Sequence, residues 1–308
     1  MTTNAIQSSH IYSTYFAPRG RSRIYTLGMQ IAQLYLSPFD QIIGFIGEAG
    51  SGKSVLIKGM FPGIELTNDD DGVNVRPLPL LEQEYETGFF TPHTYHLDIR
   101  FETGFHQLSE LADAVRLAVR RGKRIIIEHF DLIYPLLGVN ANLLIGVGEQ
   151  IVITRPNLFG PLPQELCDIV YPSLAYRLMA HSAEDLCEYA MTQEQMLACS
   201  HSDIRHGFVL EFNEHQPDID IPTLEARVNE LIRQDLPIDY YDESHILLGG
   251  AQHYCTGPRT HVRSTGRIIG FRLLDHFIYD HFHKTYMLVG CVGDDSEENI
   301  RKLETIHG

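Results

Sequence analysis

The sequence has no apolar run approaching the ~18 residues that a membrane-spanning helix needs. Its start, "MTTNAIQSSHIYSTYF", lacks a charged segment followed by an apolar core. Neither a membrane span nor a secretory leader is therefore expected. Cysteine is sparse: five residues, at 167, 187, 199, 255 and 291, form no paired framework. That pattern suits reduced thiols and a cytoplasmic setting rather than a disulfide scaffold. Positive charge is also short, since 24 Lys and Arg face 40 Asp and Glu for a formal net charge of −16. Residues 1–172 hold 13 basic and 18 acidic side chains, a balance of −5; residues 173–308 hold 11 and 22, a balance of −11. Such a deficit weighs against sequence-independent binding to a nucleic-acid backbone, which counterion release drives. A small basic groove remains compatible with it.

What the chain does have is enough length and apolar content for two domains. Its 308 residues are 44% hydrophobic and 21% charged, the profile of a soluble globular protein. Histidine is skewed toward the second half, with 11 of 16 beyond residue 172, which directs the search for metal or proton chemistry there.

In the first half, the β-rich run "QIIGFIG" (41–47) leads into "GEAGSGKS" and then "VLIKGMF". Strand, glycine-rich loop and helix start are the context of a phosphate-binding loop, here Gly47-x4-Gly52-Lys53-Ser54. Backbone N–H groups around Gly47, Gly50, Ser51 and Gly52 would cradle phosphates at the positive end of the helix dipole. Lys53 would neutralise the β- and γ-phosphates, and Ser54 would complete a Mg²⁺ shell. A second strand is expected at "GIEL" (63–66). Of the acids in the following "TNDDDG", Asp70 is the candidate catalytic base, against a solvated acidic loop. A third strand is expected in "RIIIEHFDLIYP" (124–135), where Glu128 resembles a Walker B acid and Asp131 could share its role. "EQIVITRP" (149–156) reads as another strand, with Arg155 either reaching phosphate or lying on the surface.

These segments resemble the uridine kinase and phosphoribulokinase branch of P-loop kinases. The resemblance rests on the loop at 47–54, the acids after the second strand and "IIIEHFDLIYP". It implies an α/β P-loop NTPase fold with a parallel sheet, ATP and Mg²⁺ as cofactors, and transfer of a phosphoryl group to a small hydroxyl acceptor. His129 stands where that family usually has a glycine, and no Arg-rich lid follows.

The second half begins after "PNLFGPLPQEL" (156–166), giving domains at 1–172 and 173–308. "AYRLMAHSAEDLCEYAM" (175–191) has helical spacing, which puts His181 and Asp185 on one face. "GFVLEFNE" reads as a strand, and "PTLEARVNELIRQDLPI" as an amphipathic helix opened by proline. "RIIGFRLLDHF" and "KTYMLVGCVG" read as later strands of an antiparallel sheet, so this domain is expected to be α+β. "DDSEENIRKLETI" reads as a charged terminal helix. His281 and His283 have strand spacing, and His201 and His206 are expected in a loop.

"CTGPRTHVRSTGRIIGF" resembles the Cys/His turn of the second additional domain of alanyl-tRNA synthetases, found variantly in threonyl-tRNA synthetases. That resemblance covers roughly residues 174–295. It implies a Zn²⁺ site of His181, Asp185, Cys255 and His261. Asp185 replaces a histidine of the family pattern, and Cys255-x5-His261 is two residues longer than usual. Three ligands plus water would make a hydrolytic site; four would make a structural one. Two functions therefore stand side by side. One is a kinase whose second domain selects substrate. The other is a zinc-dependent editing hydrolase of aminoacyl-tRNA, with a basic groove near Arg259, Arg263 and Arg267.

Overall fold

The computed structural model describes residues 12–66, 93–213 and 215–307. They form two compact units: one of residues 12–15, 22–66 and 93–172, the other of residues 16–21, 173–213 and 215–307. The division at 172/173 falls inside a helix, and six early residues belong with the second unit.

The first unit is built on a six-stranded sheet in the order β1-β6-β5-β2-β4-β3. Its strands are β1 (Tyr12–Phe16), β2 (Ile42–Ile46), β3 (Thr94–Asp98), β4 (Arg124–Glu128), β5 (Leu143–Val147) and β6 (Gln150–Thr154). β3, β4, β2 and β5 run parallel, but β6 follows β5 after a short turn and pairs with it antiparallel. The sheet is therefore mixed rather than parallel. Two parallel neighbours need a long crossover, whereas residues 148 and 149 allow only a hairpin. β2 and β5 are buried at every position, as suits strands covered on both faces.

Three expectations for this unit need correction. "GIEL" is not a strand: 61–63 form a bend and turn, and 64–66 have no regular structure. The second parallel strand is instead β3, a run with only three apolar-leaning side chains that the sequence reading passed over. "RIIIEHFDLIYP" is two elements, since β4 stops at Glu128 and a helix begins at Phe130.

The helices of the unit are α1 (Arg21–Tyr35), α2 (Lys53–Met60), α3 (Ile99–Glu102), α4 (Leu108–Arg120) and α5 (Phe130–Leu137). α4 buries Leu111, Ala112, Ala114, Val115 and Ala118, one stripe at helical spacing. That stripe joins Ile42, Ile125, Ile127, Ile133 and Leu144 in the core. α1 and α2 approach closely because Gly28 and Gly59 face each other's backbone. A Cβ on Gly28 would lie 2.5 Å from the Leu56 carbonyl oxygen, and one on Gly59 would overlap the Tyr25 carbonyl.

α6 (Pro163–Ala190) carries Pro172 in its interior and runs from one unit's residues into the other's. The second unit adds α7 (Gln193–Ala198), α8 (Ile221–Arg233) and α9 (Ser296–His307). Its larger sheet is antiparallel, with β7 (Cys199–Ile204), β8 (Gly207–Asn213), β14 (Thr285–Cys291) and β12 (Arg272–Leu273) in line, and β13 (Ile278–Asp280) beside β14. A smaller antiparallel sheet holds β9 (Ile238–Asp242), β10 (His245–Leu248) and β11 (Ala251–Tyr254). Met179, Ala183 and Leu186 of α6 and Leu224 and Val228 of α8 pack with Phe208, Leu210 and Leu288 into one core.

Here too the local readings shift. "RIIGF" forms a 3₁₀ turn and irregular chain, leaving only Arg272–Leu273 as strand. His281 and His283 lie in the turn between β13 and β14, where the exposed His283 bonds Asp280 at 2.7 Å. His201 is on β7, while His206 occupies the β7–β8 turn with φ 57°. Among the described residues no helix is long and apolar enough to cross a membrane.

The α1–α2 contact is backbone against backbone, so no side chain can yield to an added methyl. Gly59→Ala should cost about 1–3 kcal/mol, read as a lower midpoint in chemical unfolding.

Candidate functional site

Gly47, Gly50 and Gly52 have φ of 155°, 79° and 91°, so the chain between β2 and α2 turns through conformations that side chains resist. This leaves the loop's N–H groups gathered at the start of α2. Lys53 is buried, and its Nζ donates to the carbonyl oxygens of Gly47 at 2.8 Å and Glu48 at 2.9 Å. Burial pulls its pKa down, with the Glu128 and Asp98 charges opposing.

The carboxylates come from two neighbouring strand ends. Asp98 and Glu128 are paired in the β3–β4 register, and Phe45 pairs with Glu128 on the other side. Ser54 Oγ donates to Glu128 Oε1 at 3.2 Å, His96 Nε2 stands 3.1 Å from the same oxygen, and Lys53 Nζ is 3.8 Å from Oε2. Burial pushes Glu128 upward, but the bond and charge of His96, together with Lys53, hold it below the ordinary carboxylate range. Asp98 is raised instead, by burial and then by the Glu128 charge, although it accepts a bond from Phe101 N at 3.2 Å. Two adjacent carboxylates with opposed shifts are suited to different tasks: one stays ionised and one can carry a proton.

His129 occupies the bend between β4 and α5 with φ 57° and ψ 46°. A left-handed residue is required there, which is the position where the resemblance led us to expect glycine. Its ring is buried, its Nδ1 has no hydrogen-bond partner, and burial with the Lys53 and Arg100 charges pushes its pKa down to about 4. Asp98, Glu128 and His129 each offer a ligand atom within 4.8 Å of the others. Asp131, in the first turn of α5, accepts from the Tyr171 hydroxyl at 3.3 Å. Arg100 forms a forked pair with Glu48 at 3.0 and 3.3 Å beside the loop.

Gly47, Gly50, Ser51, Gly52, Lys53, Ser54 and Glu128 are thus brought together. Asp70 lies outside the described residues. Arg155 is not at this site, and the reason is strand direction. Because β6 is antiparallel, its C-terminal end lies at the edge where β2 begins. There Arg155 clamps Asp40 with bonds of 2.7 and 2.8 Å. Asp98, His96 and the Arg100–Glu48 pair escaped the sequence reading because the strand carrying the first two was not recognised.

In the second unit, Asp185, Cys255 and His261 converge, with His261 Nε2 2.7 Å from Asp185 Oδ2 and 3.7 Å from Cys255 Sγ. His181 is not in the group: its Nε2 faces Asp203 Oδ1 at 3.4 Å, and burial pushes its pKa down to about 4. A different cation is already there. The guanidinium of Arg19, 2% exposed, pairs with Glu184 and Asp185 and donates from Nη2 to Cys255 Sγ at 3.0 Å. Burial penalises its charge, but Asp185 and Glu184 more than restore it; burial also pushes Asp185 up, and Arg19 together with His261 holds it well below the ordinary carboxylate range.

A zinc ion bonded to Asp185 and Cys255 would lie about 2.0–2.3 Å from each, in the space that Arg19 Nη2 uses to reach both. By spacing Asp185, Cys255 and His261 could hold a metal ion, and in this structure a guanidinium is paired with two of them. No sequence signal pointed to Arg19, which is 166 positions from Asp185. The proposed basic groove is partly neutralised, since Arg259 stacks 4.5 Å over Tyr240 and lies 3.5 Å from Glu243.

Removing Arg19 would strand two buried carboxylates. Arg19→Ala should cost about 3–5 kcal/mol in denaturant unfolding, and a loss below about 1 kcal/mol would mean that other groups compensate them. His129 sets a pH dependence of its own. Its folded value of about 4 is below the ordinary 6.5, so between these the unfolded chain binds a proton that the folded chain does not. Stability should therefore fall as pH drops through that window. His129→Gly, which suits the left-handed backbone, should flatten the slope in urea titrations across it.

No family model matches the chain, and no curated protein matches it.

Proposed function

We propose that the chain is an ATP-dependent phosphotransferase of the uridine kinase-like type, acting in the cytoplasm on a small hydroxyl-bearing acceptor. One observation carries this reading. The glycine loop turns directly into α2, and Ser54 of that helix bonds an ionised acid, Glu128, at the end of the adjoining strand. Loop N–H groups and Lys53 would hold the phosphates, with Ser54 and Glu128 holding Mg²⁺ through its shell. When bound, Mg²⁺ neutralises charge on the β- and γ-phosphates.

The chain's own residues supply the rest. His96 and Lys53 keep Glu128 ionised despite its burial. Asp98, one strand over, takes the role first assigned to Asp70: its raised pKa suits it to accept the acceptor's hydroxyl proton as the oxygen attacks. The carbonyls of Gly47 and Glu48 hold the Lys53 ammonium over the loop. None of the five cysteines is disulfide-bonded, in keeping with a reducing compartment. The hydrolase reading is not carried forward, because Arg19 fills the donor set where an open metal position would be needed.

Transfer of radiolabelled γ-phosphate to a panel of nucleosides, amino acids and aminoacyl-tRNAs tests the proposal. Lys53→Ala should abolish labelled product. Asp98→Asn should lower kcat by about 10²–10⁴ with ATP affinity retained. Intact ATP binding with no labelled acceptor anywhere in the panel would sink the kinase assignment.

A further inference from the structure

The acidic face of α6 continues past Arg19. Glu184 and Glu188 are four residues apart and share that face. Cys199 and His201 are two apart on β7, so they project to one side of the strand. Glu188, Cys199 and His201 each place a ligand atom within 4.8 Å of the other two. Glu188 Oε1 is 2.9 Å from His201 Nε2 and 3.9 Å from Cys199 Sγ. These donors come from a helix and an edge strand.

From this cluster the geometry points to a zinc-class metal site made by Glu188, Cys199 and His201, separate from the Cys255 set. Three features support it. The first is the second contact of His201, whose Nδ1 lies 2.9 Å from Glu184 Oε1. A histidine that ligates metal through one nitrogen characteristically gives its other N–H to a carboxylate, which fixes ring and tautomer. The second is His253, a buried ring whose Nε2 has no hydrogen-bond partner and stands 3.8 Å from Glu188 Oε2, the oxygen turned away from His201. It faces the same carboxylate from β11. The third is access: the His201 side chain is 23% exposed and Cys199 is half-buried, so an ion has a route in.

Thiolate, imidazole and carboxylate together select Zn²⁺ or Co²⁺ over Mg²⁺. Three protein ligands leave one tetrahedral position to solvent. Because a metal takes thiolate and neutral imidazole, binding at this site releases protons, the usual linkage between metal and pH.

Co²⁺ added to the full-length, metal-stripped chain tests this, because a sulfur-to-cobalt charge-transfer band reports thiolate ligation. One equivalent should bind with that band, which should vanish in Cys199→Ser and persist in Cys255→Ser. Alkylation of Cys199 in the unaltered chain, followed by mass spectrometry, requires no variant to fold. Its rate should fall about tenfold once Zn²⁺ is about ten times its Kd, since only empty sites react. Absence of stoichiometric binding, an unprotected Cys199, or a band lost in Cys255→Ser but kept in Cys199→Ser would overturn the assignment. ATP binding is a separate measurement, so this result stands or falls apart from the kinase reading.

Discussion

A carboxylate almost fully removed from water must find donors or cations, and Glu128 finds Ser54, His96 and Lys53. Ser54 and Lys53 open helix α2 and His96 lies on β3, so the single charge ties α2 to the ends of β3 and β4. The parallel register makes this possible by setting Asp98 and Glu128 abreast. Were Glu128 neutral, Lys53 would lose its nearest countercharge while still buried, and burial already pulls its pKa down. The charge that would position a metal is thus also the charge that opposes the effect of burial on the loop's lysine.

The second unit solves a similar problem with the opposite sign. Glu184 and Asp185 are buried neighbours on α6, and one planar guanidinium serves both while reaching Cys255. A guanidinium's fork can meet several acceptors at once without the short bonds that a metal demands. A carboxylate pairs with arginine, whereas a neutral imidazole in place of Asp185 would leave that cation half-compensated. Hydrogen bonds to an arginine also accept a wider geometry than a tetrahedral ion does.

Much of this could be read from residue order. The glycine loop, the apolar strand leading to Glu128, the helical spacing that carries His181 and Asp185, and the α8 helix all follow from spacing and punctuation. What escaped was set by partners distant in sequence. "TYHLD" is too short and too polar to announce a central strand; its burial depends on β4 beside it. With that strand unseen, Asp98 and His96 did not enter the candidate list. Arg155 was misplaced because residue order does not reveal that β6 reverses direction. Arg19 carries no local mark at all, because its meaning comes wholly from carboxylates on a helix far along the chain.

That last point bears on how the chain is divided. Residues 16–21 cluster with the second unit although they precede the whole of the first unit's glycine loop. A cut at residue 172 therefore does not yield two self-sufficient parts. A fragment beginning at residue 173 would keep Glu184 and Asp185 in an apolar surround yet lack the one cation paired with both, a deficit that burial makes severe. Two carboxylates in that state would take up protons or draw in another cation, and Asp185, Cys255 and His261 would then be open to one.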